Sequence, residues 1–165
     1  MRVQRSTHWM FGFAFAFASI TPVAASSPPP AGSKPLSEIL QGIEQRGGEI
    51  VISAGFGSGT WEVLACEAGG QRCREIEVDP RTGEERRASP DDSSDTLPPA
   101  NGKTASQIAR SIEERKLGVI TELEYDDPQW EAQVRPERGR VKLDVDPISA
   151  EVRRCIGRAC PPRGK

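Results

Sequence analysis

The chain has 165 residues, with 14 Pro, 16 Gly, only 5% aromatic residues and a formal net charge of −2. That balance suits one modest domain or two very small ones and excludes a large enzyme core. The single histidine is His8, so once the N-terminal leader described next is removed, no Ser-His or Cys-His nucleophile pair and no imidazole-bound zinc can be built.

Arg2 and Arg5 precede an apolar run from Trp9 to Ile20, and Thr21-Pro22-Val23-Ala24-Ala25 supplies the small residues that a signal peptidase reads. Residues 1–25 are therefore expected to be a secretory signal cleaved after Ala25, giving a periplasmic or secreted protein with no transmembrane segment. About 12 apolar residues fall short of the roughly 20 that a spanning helix needs, and no Cys near the cleavage point offers a site for lipid. Loss of Arg2 and Arg5 without any acid moves the formal net charge to −4.

After a Pro-rich spacer at 26–33, Leu36, Ile39, Leu40 and Ile43 recur on one face of a predicted helix, with Pro35 suited to its start and Gly47-Gly48 to its end. The period then changes to two over Ile50–Ile52, over Trp61, Val63 and Ala65, and over Ile76 and Val78, which predicts strands. If Trp61 faces Val78, then Val63 faces Ile76, and the apolar partners share one side, which the indoles enter as core. The same register sets Cys66 opposite Cys73 on the other side, where a disulfide can close the hairpin. Next, "VDPRTGEERR" reads as a corner: Asp79 caps a turn, Pro80 fixes φ and Gly83 permits positive φ before a short fourth strand. An acidic Pro/Ser linker is expected over 89–102.

The pattern then recurs. With an offset of 69, Lys34, Ser37, Ile39, Ile43, Glu44, Arg46 and Trp61 fall on Lys103, Ser106, Ile108, Ile112, Glu113, Arg115 and Trp130. With an offset of 67, Val78, Asp79, Pro80, Glu84, Arg86 and Arg87 fall on identical residues, ending in "VDPISAEVRR". Thr104 with Gln107 resembles a capping box at the second helix, and Trp130 is expected to face Val145, with the two missing residues taken from the hairpin turn near Pro136. Ala150 replaces Gly83, and since a left-handed alanine costs about 1 kcal/mol more than glycine, a different or looser turn is expected there. The chain thus divides into a signal at 1–25, a spacer at 26–33, repeats at 34–88 and 103–154, a linker at 89–102, and a basic Cys-containing tail at 155–165. The fold class that follows is α+β: two tandem repeats, each one helix packed on a small antiparallel sheet of three to four strands.

A helix reading "PLSEILQGIE", a strand "WEVLAC" and then "REIEVDPRTGEERR" resemble a PepSY domain, and "SQIARSIEERKLGVITELEY", "WEAQV" and "VKLDVDPISAEVRR" resemble a second. The resemblance spans 34–87 and 103–154. It implies exported bacterial modules that restrain peptidases or act as sensors in the cell envelope, without catalytic residues to transfer, and a partner bound in trans.

Cys66, Cys73, Cys155 and Cys160 allow three pairings, of which the two local ones are favoured by their short separations. Four residues between Cys155 and Cys160 is not the two-residue spacing of thiol oxidoreductases, so a structural staple is expected. Glu62, Glu75 and Glu77 project from the side of the sheet opposite the tryptophans and form a candidate binding face for a basic partner, with Glu62 directly opposite Glu77. The acids at Asp91, Asp92, Asp95, Asp126 and Asp127 lack calcium-loop spacing, and the basic tail with Arg153, Arg154, Arg158, Arg163 and Lys165 lacks the interleaved aromatics of a nucleic-acid site. No cofactor, metal or nucleic acid is expected. The functional expectation is a non-catalytic envelope protein that binds a protein or peptide, a peptidase among the candidates. The alternative is a soluble sensor or carrier for a small ligand or cation held in a groove between the modules.

Overall fold

The computed structural model describes residues 27–70, 72–92 and 96–162; the expected leader and its cleavage point after Ala25 lie outside them. Helix α1 (Leu36–Gly47) ends where Gly48 adopts the left-handed conformation at φ 63°, its N–H returning to the Glu44 carbonyl. Strands β1 (Ile50–Gly57), β2 (Thr60–Cys66), β3 (Cys73–Val78) and β4 (Glu85–Asp91) follow. The second half repeats the order with α2 (Ala105–Glu113), β5 (Val119–Asp126), β6 (Gln129–Arg135), β7 (Val141–Val145) and β8 (Val152–Ile156). At the start of α2 the Gln107 Oε1 accepts the Thr104 N–H, completing the expected capping box.

The hairpin registers follow the apolar alternation. Trp61 faces Val78, Val63 faces Ile76 and Cys66 faces Cys73 in the first half, while Trp130 faces Val145, Ala132 faces Leu143 and Val134 faces Val141 in the second. Trp61 and Trp130 are 1% and 0% exposed, each meeting an aromatic ring of the preceding strand, Phe56 or Tyr125, edge-on at 5.4 Å. Neither indole N–H has a hydrogen-bond partner. That omission costs about 1–3 kcal/mol each, against about 5 kcal/mol gained by burying roughly 200 Å² of aromatic surface, so ring burial wins.

The fold class is not the one expected from the repeats. In place of two small helix-covered sheets there is one eight-stranded antiparallel sheet in the order β4-β3-β2-β1-β5-β6-β7-β8, a mostly β protein with two short helices. The joint is β1 on β5, where Ser53, Ala54 and Gly55 pair with Glu124, Leu123 and Glu122. The physical reason is edge satisfaction. A separate four-stranded sheet would leave β1 and β5 as exposed edges with unpaired N–H and C=O groups, and a two-fold relation between the repeats pairs each with the other. Bulges at Val51/Ser53 and Ile120/Glu122 occupy equivalent places in the two halves.

On one face of this sheet α1 and α2 pack antiparallel against each other and over β1 and β5. Two crossed carboxylates clamp them. Glu113, at the end of α2, accepts the Ser37 N–H at 3.1 Å and its hydroxyl at 2.5 Å in the first turn of α1. Glu44, on α1, accepts the Ser106 N–H at 3.0 Å and its hydroxyl at 2.6 Å in the first turn of α2. First-turn N–H groups have no partner within their own helix and carry the positive end of its dipole. Each helix therefore has an orphan donor satisfied by a carboxylate of the other.

The corner at 146–151 is not looser, contrary to the expectation from Ala150. Gly83 and Ala150 have φ of 74° and 61°, and their N–H groups reach the carbonyls of Asp79 and Asp146 at 2.9 and 3.0 Å. The surrounding bonds over-determine the turn: Asp146 Oδ1 accepts the N–H groups of Ile148 and Ser149, as Asp79 Oδ1 accepts those of Arg81 and Thr82. Alanine thus tolerates a left-handed conformation that the rest of the corner imposes.

Two stability measurements test this description. Glu113→Ala removes two charge-assisted bonds at a half-buried helix end and should cost about 2 kcal/mol in urea unfolding. Ala150→Gly should raise stability by about 0.5–1 kcal/mol, the relief of left-handed strain exceeding the added freedom of the unfolded chain.

Candidate functional site

The face of the sheet away from the helices carries the charged residues. Glu62, Glu75 and Glu77 lie together on it as the alternation requires, and Glu62 stands opposite Glu77 across β2 and β3. Like charges in that position repel by a few tenths of a kcal/mol, and Arg87 of β4, 3.9 Å from Glu77, relieves the contact. In the second half Lys142 bonds Glu131 at 2.5 Å, which holds the lysine above its ordinary pKa. Glu62 and Glu75 have no hydrogen bond or ion pair to another described residue.

Between the halves the face sinks. The outward positions of β1 are Ser53, Gly55 and Gly57, so the strand in the middle of the sheet presents almost bare backbone. Glu62, Leu64 and Glu75 rise on one side, Glu122 and Glu124 on the other, around an open trough of about 510 Å³. Asp91 closes one corner, and no Lys or Arg lines the trough. Glu122 accepts a hydrogen bond from the Gln133 amide, which positions it without neutralising it.

Several other charged groups are structural. Arg74 bonds Glu49 at 2.6 and 2.8 Å and Glu85 at 3.0 Å, so the hydrogen bond to Arg74 holds the Glu49 carboxyl below its usual range. The Thr82 and Arg81 N–H groups, with the Arg86 guanidinium, hold Asp79 at about 2. Asp146 is lowered in the same way by the Ser149 and Ile148 N–H groups and Arg153. Cys66–Cys73 and Cys155–Cys160 form the two expected disulfides. Among the described residues no cluster of three or more His, Cys, Asp or Glu side chains could hold a metal ion, and no helix is long and apolar enough to cross a membrane.

The groove imagined between the modules takes another form. One crevice of about 400 Å³ lies between Pro29–Leu36, Glu113 and Gly118–Ile120, and its equivalent of about 280 Å³ between Pro98–Ala105, Glu44 and Glu49–Val51. The Pro-rich stretches assigned to spacer and linker are thus packed walls of the fold. They match at the same offset of 69, "PPAGSK" against "PPANGK", a signal that the sequence reading passed over because it lies upstream of the helical period. Ser89, Pro90 and Asp91 likewise belong to β4, and Cys155 and Ile156 to β8. Sequence reasoning also missed Glu122 and Glu124, which join Glu62 and Glu75 only through the β1–β5 pairing.

No family model and no curated protein matches the chain. Among solved structures it is similar to a candidate lipoprotein from Clostridium difficile 630, with a TM-score of 0.45 and 12% identity over 77% of this chain and 95% of the other. The two disulfides fit an exported protein.

Acid should act through the corner carboxyls. Folding lowers the Asp79 pKa, so its stabilisation is complete above the unfolded value of about 4 and is lost as the pH falls toward about 2. Asp79→Asn, which keeps an acceptor for the two N–H groups, should flatten the decline in stability over that window, read as the urea midpoint at successive pH values.

Proposed function

We propose that this is a non-catalytic envelope protein that receives a cationic segment of a protein or peptide partner in the acidic trough of its open sheet face. The observation that carries the reading is the trough itself, a strip of bare β1 backbone walled by Glu62, Glu75 and Glu122 with Leu64 beside them and no cation in the lining. A Lys or Arg side chain lying there finds carboxylates without an intramolecular competitor at Glu62 and Glu75, and its methylene stem can rest on Leu64. The resemblance of both halves to PepSY modules makes an envelope peptidase the partner class to test first, with restraint of its activity as the consequence of binding. Export is supported by the leader pattern over residues 1–25 and by the disulfides.

A photo-crosslinking residue at Leu64 in the living cell should capture a partner, and one at Gln41 on the helical side should not. Glu62→Gln with Glu75→Gln should abolish the capture and weaken binding of the isolated partner at least tenfold, at about 1.4 kcal/mol per decade. Capture from Gln41 alone, or capture at Leu64 that is indifferent to the double substitution, would overturn the reading. If the captured partner is a peptidase, its turnover with and without this protein decides whether binding restrains it.

A further inference from the structure

The sheet is electrically polarised along its strands. Val119 pairs with Arg135, Val134 with Val141 and Lys142 with Ile156, so the loops that lead into β5, join β6 to β7 and leave β8 all lie at one end. They abut: a methyl group added to Gly118 would stand 2.4 Å from the Arg135 carbonyl oxygen, and one on Gly157 2.4 Å from that of Arg140. On these loops Arg115, Lys116, Arg138, Arg140 and Arg158 are exposed and make no ion pair with another described residue, and the acids among them are Glu114 and Glu137. The opposite end of the strands exposes Asp92, Asp126, Asp127 and Glu151. Elsewhere Lys34–Glu38, Arg72–Glu67, Arg74–Glu49 and Arg86–Asp79 are ion pairs, and the cations with no ion pair to another described residue, Arg46, Arg81, Lys103, Arg110 and Arg154, are spread over α1, α2, β8 and two other loops and form no cluster. The equivalent segments of the first half carry Arg46, the match of Arg115, and Arg72, but balance them with Glu49 and Glu67, so the repeat itself does not demand the surplus.

Among the described residues, two of the three exposed large apolar ones, Val119 at 50% and Ile156 at 45%, belong to this same end. Val119 also adjoins Pro29 and Pro30 in the crevice beside α1.

We propose that this end is a docking surface for an anionic lipid membrane, with Arg115, Lys116, Arg138, Arg140 and Arg158 on the headgroups and Val119 and Ile156 at the acyl boundary. Charge complementarity gives the orientation, because the carboxylate-rich end points away from the lipid while the acidic trough stays open sideways. The combination of a cationic cluster with apolar residues suits a membrane better than a nucleic acid, for which no aromatic side chain stands among the cations. Such binding is reversible, because it rests on a few surface charges and two apolar side chains.

Sedimentation of the exported chain with vesicles tests the proposal. At low ionic strength it should bind vesicles of phosphatidylcholine mixed with phosphatidylglycerol, ignore pure phosphatidylcholine and be released by added salt. Each cation near the surface contributes about a fivefold gain, so Arg138→Gln with Arg140→Gln should lower the partition coefficient about 25-fold. Lys103→Gln, at the opposite end beside Pro147, should leave it unchanged, and Val119→Ser should lower it. Near-UV circular dichroism checks that each variant is folded. Equal binding to both vesicle types, no binding to either, indifference to the double arginine substitution, or tighter binding to duplex DNA or heparin than to the anionic vesicles would overturn it.

Discussion

The crossed bonds between Ser37 and Glu113 and between Ser106 and Glu44 are the constraint on which the rest of the structure depends. The four residues are two pairs of equivalents, so one interaction is made twice about a pseudo-two-fold axis, and it can be made only when the helices run antiparallel with their first and last turns aligned. Arg110 and Gln41, equivalents of one another, bond at 3.0 Å across the same axis. Once the helices are held in that relation, β1 and β5 must run antiparallel beneath them, and the two four-stranded halves become one sheet. Thr104 strengthens one of the two clasps, its hydroxyl donating to Glu44 at 3.0 Å. That carboxylate therefore accepts three donors, where Ser37 alone supplies Glu113 with two.

Within each half, structure is governed by short-range rules, and those were legible in the residues. A period of two running from each tryptophan to its Asp-Pro corner has one register that buries every apolar partner, and the Cys66–Cys73 disulfide falls out of it. Between the halves, legibility ends. Ser37, Glu44, Ser106 and Glu113 are visible as repeat identities, yet nothing local says that a serine of one copy seeks the glutamate of the other, because an intra-repeat contact at that spacing is just as consistent with the pattern. The merging of the sheets is a consequence of that one unreadable choice. So is the trough, whose walls come from β2 and β3 on one side and β5 on the other. The Ala150 corner illustrates a different limit: propensity argued for a looser turn, and four hydrogen bonds of the corner outweighed about 1 kcal/mol of strain.

The repeat also separates what builds the molecule from what it presents. Many residues that match between the halves, among them the tryptophans, the helix serines and glutamates and the aspartates of the Asp-Pro corners, are buried or bonded within the fold. Apart from Glu62, which matches Glu131, the positions around the trough do not match. Ser53, Gly55 and Gly57 correspond to Glu122, Glu124 and Asp126, and Glu75 corresponds to Lys142. A symmetric face would have given either two flat strands side by side or two walls of opposed carboxylates repelling each other across the axis. The observed asymmetry gives one bare strand beside one acidic strand, which is the arrangement that leaves a channel and lines it with a single sign of charge.

The same logic separates the ends of the strands. Both halves need a connection from helix to first strand and from second strand to third, and the fold asks of it only a reversal and satisfied backbone groups. The first half meets that need with Gly47-Gly48 and a disulfide-closed hairpin containing Gly69 and Gly70, the second with loops rich in arginine. Five exposed cations that make no ion pair with another described residue raise the self-repulsion of the native state at low salt, a cost that packing and turn geometry do not require. Screening at physiological ionic strength keeps that cost small, while leaving the loops able to respond to a surface of high anionic charge density. The polarity of the sheet is therefore a property of what its loops carry and not of how its strands are joined, and the two halves, built alike at the core, differ where the protein meets its surroundings.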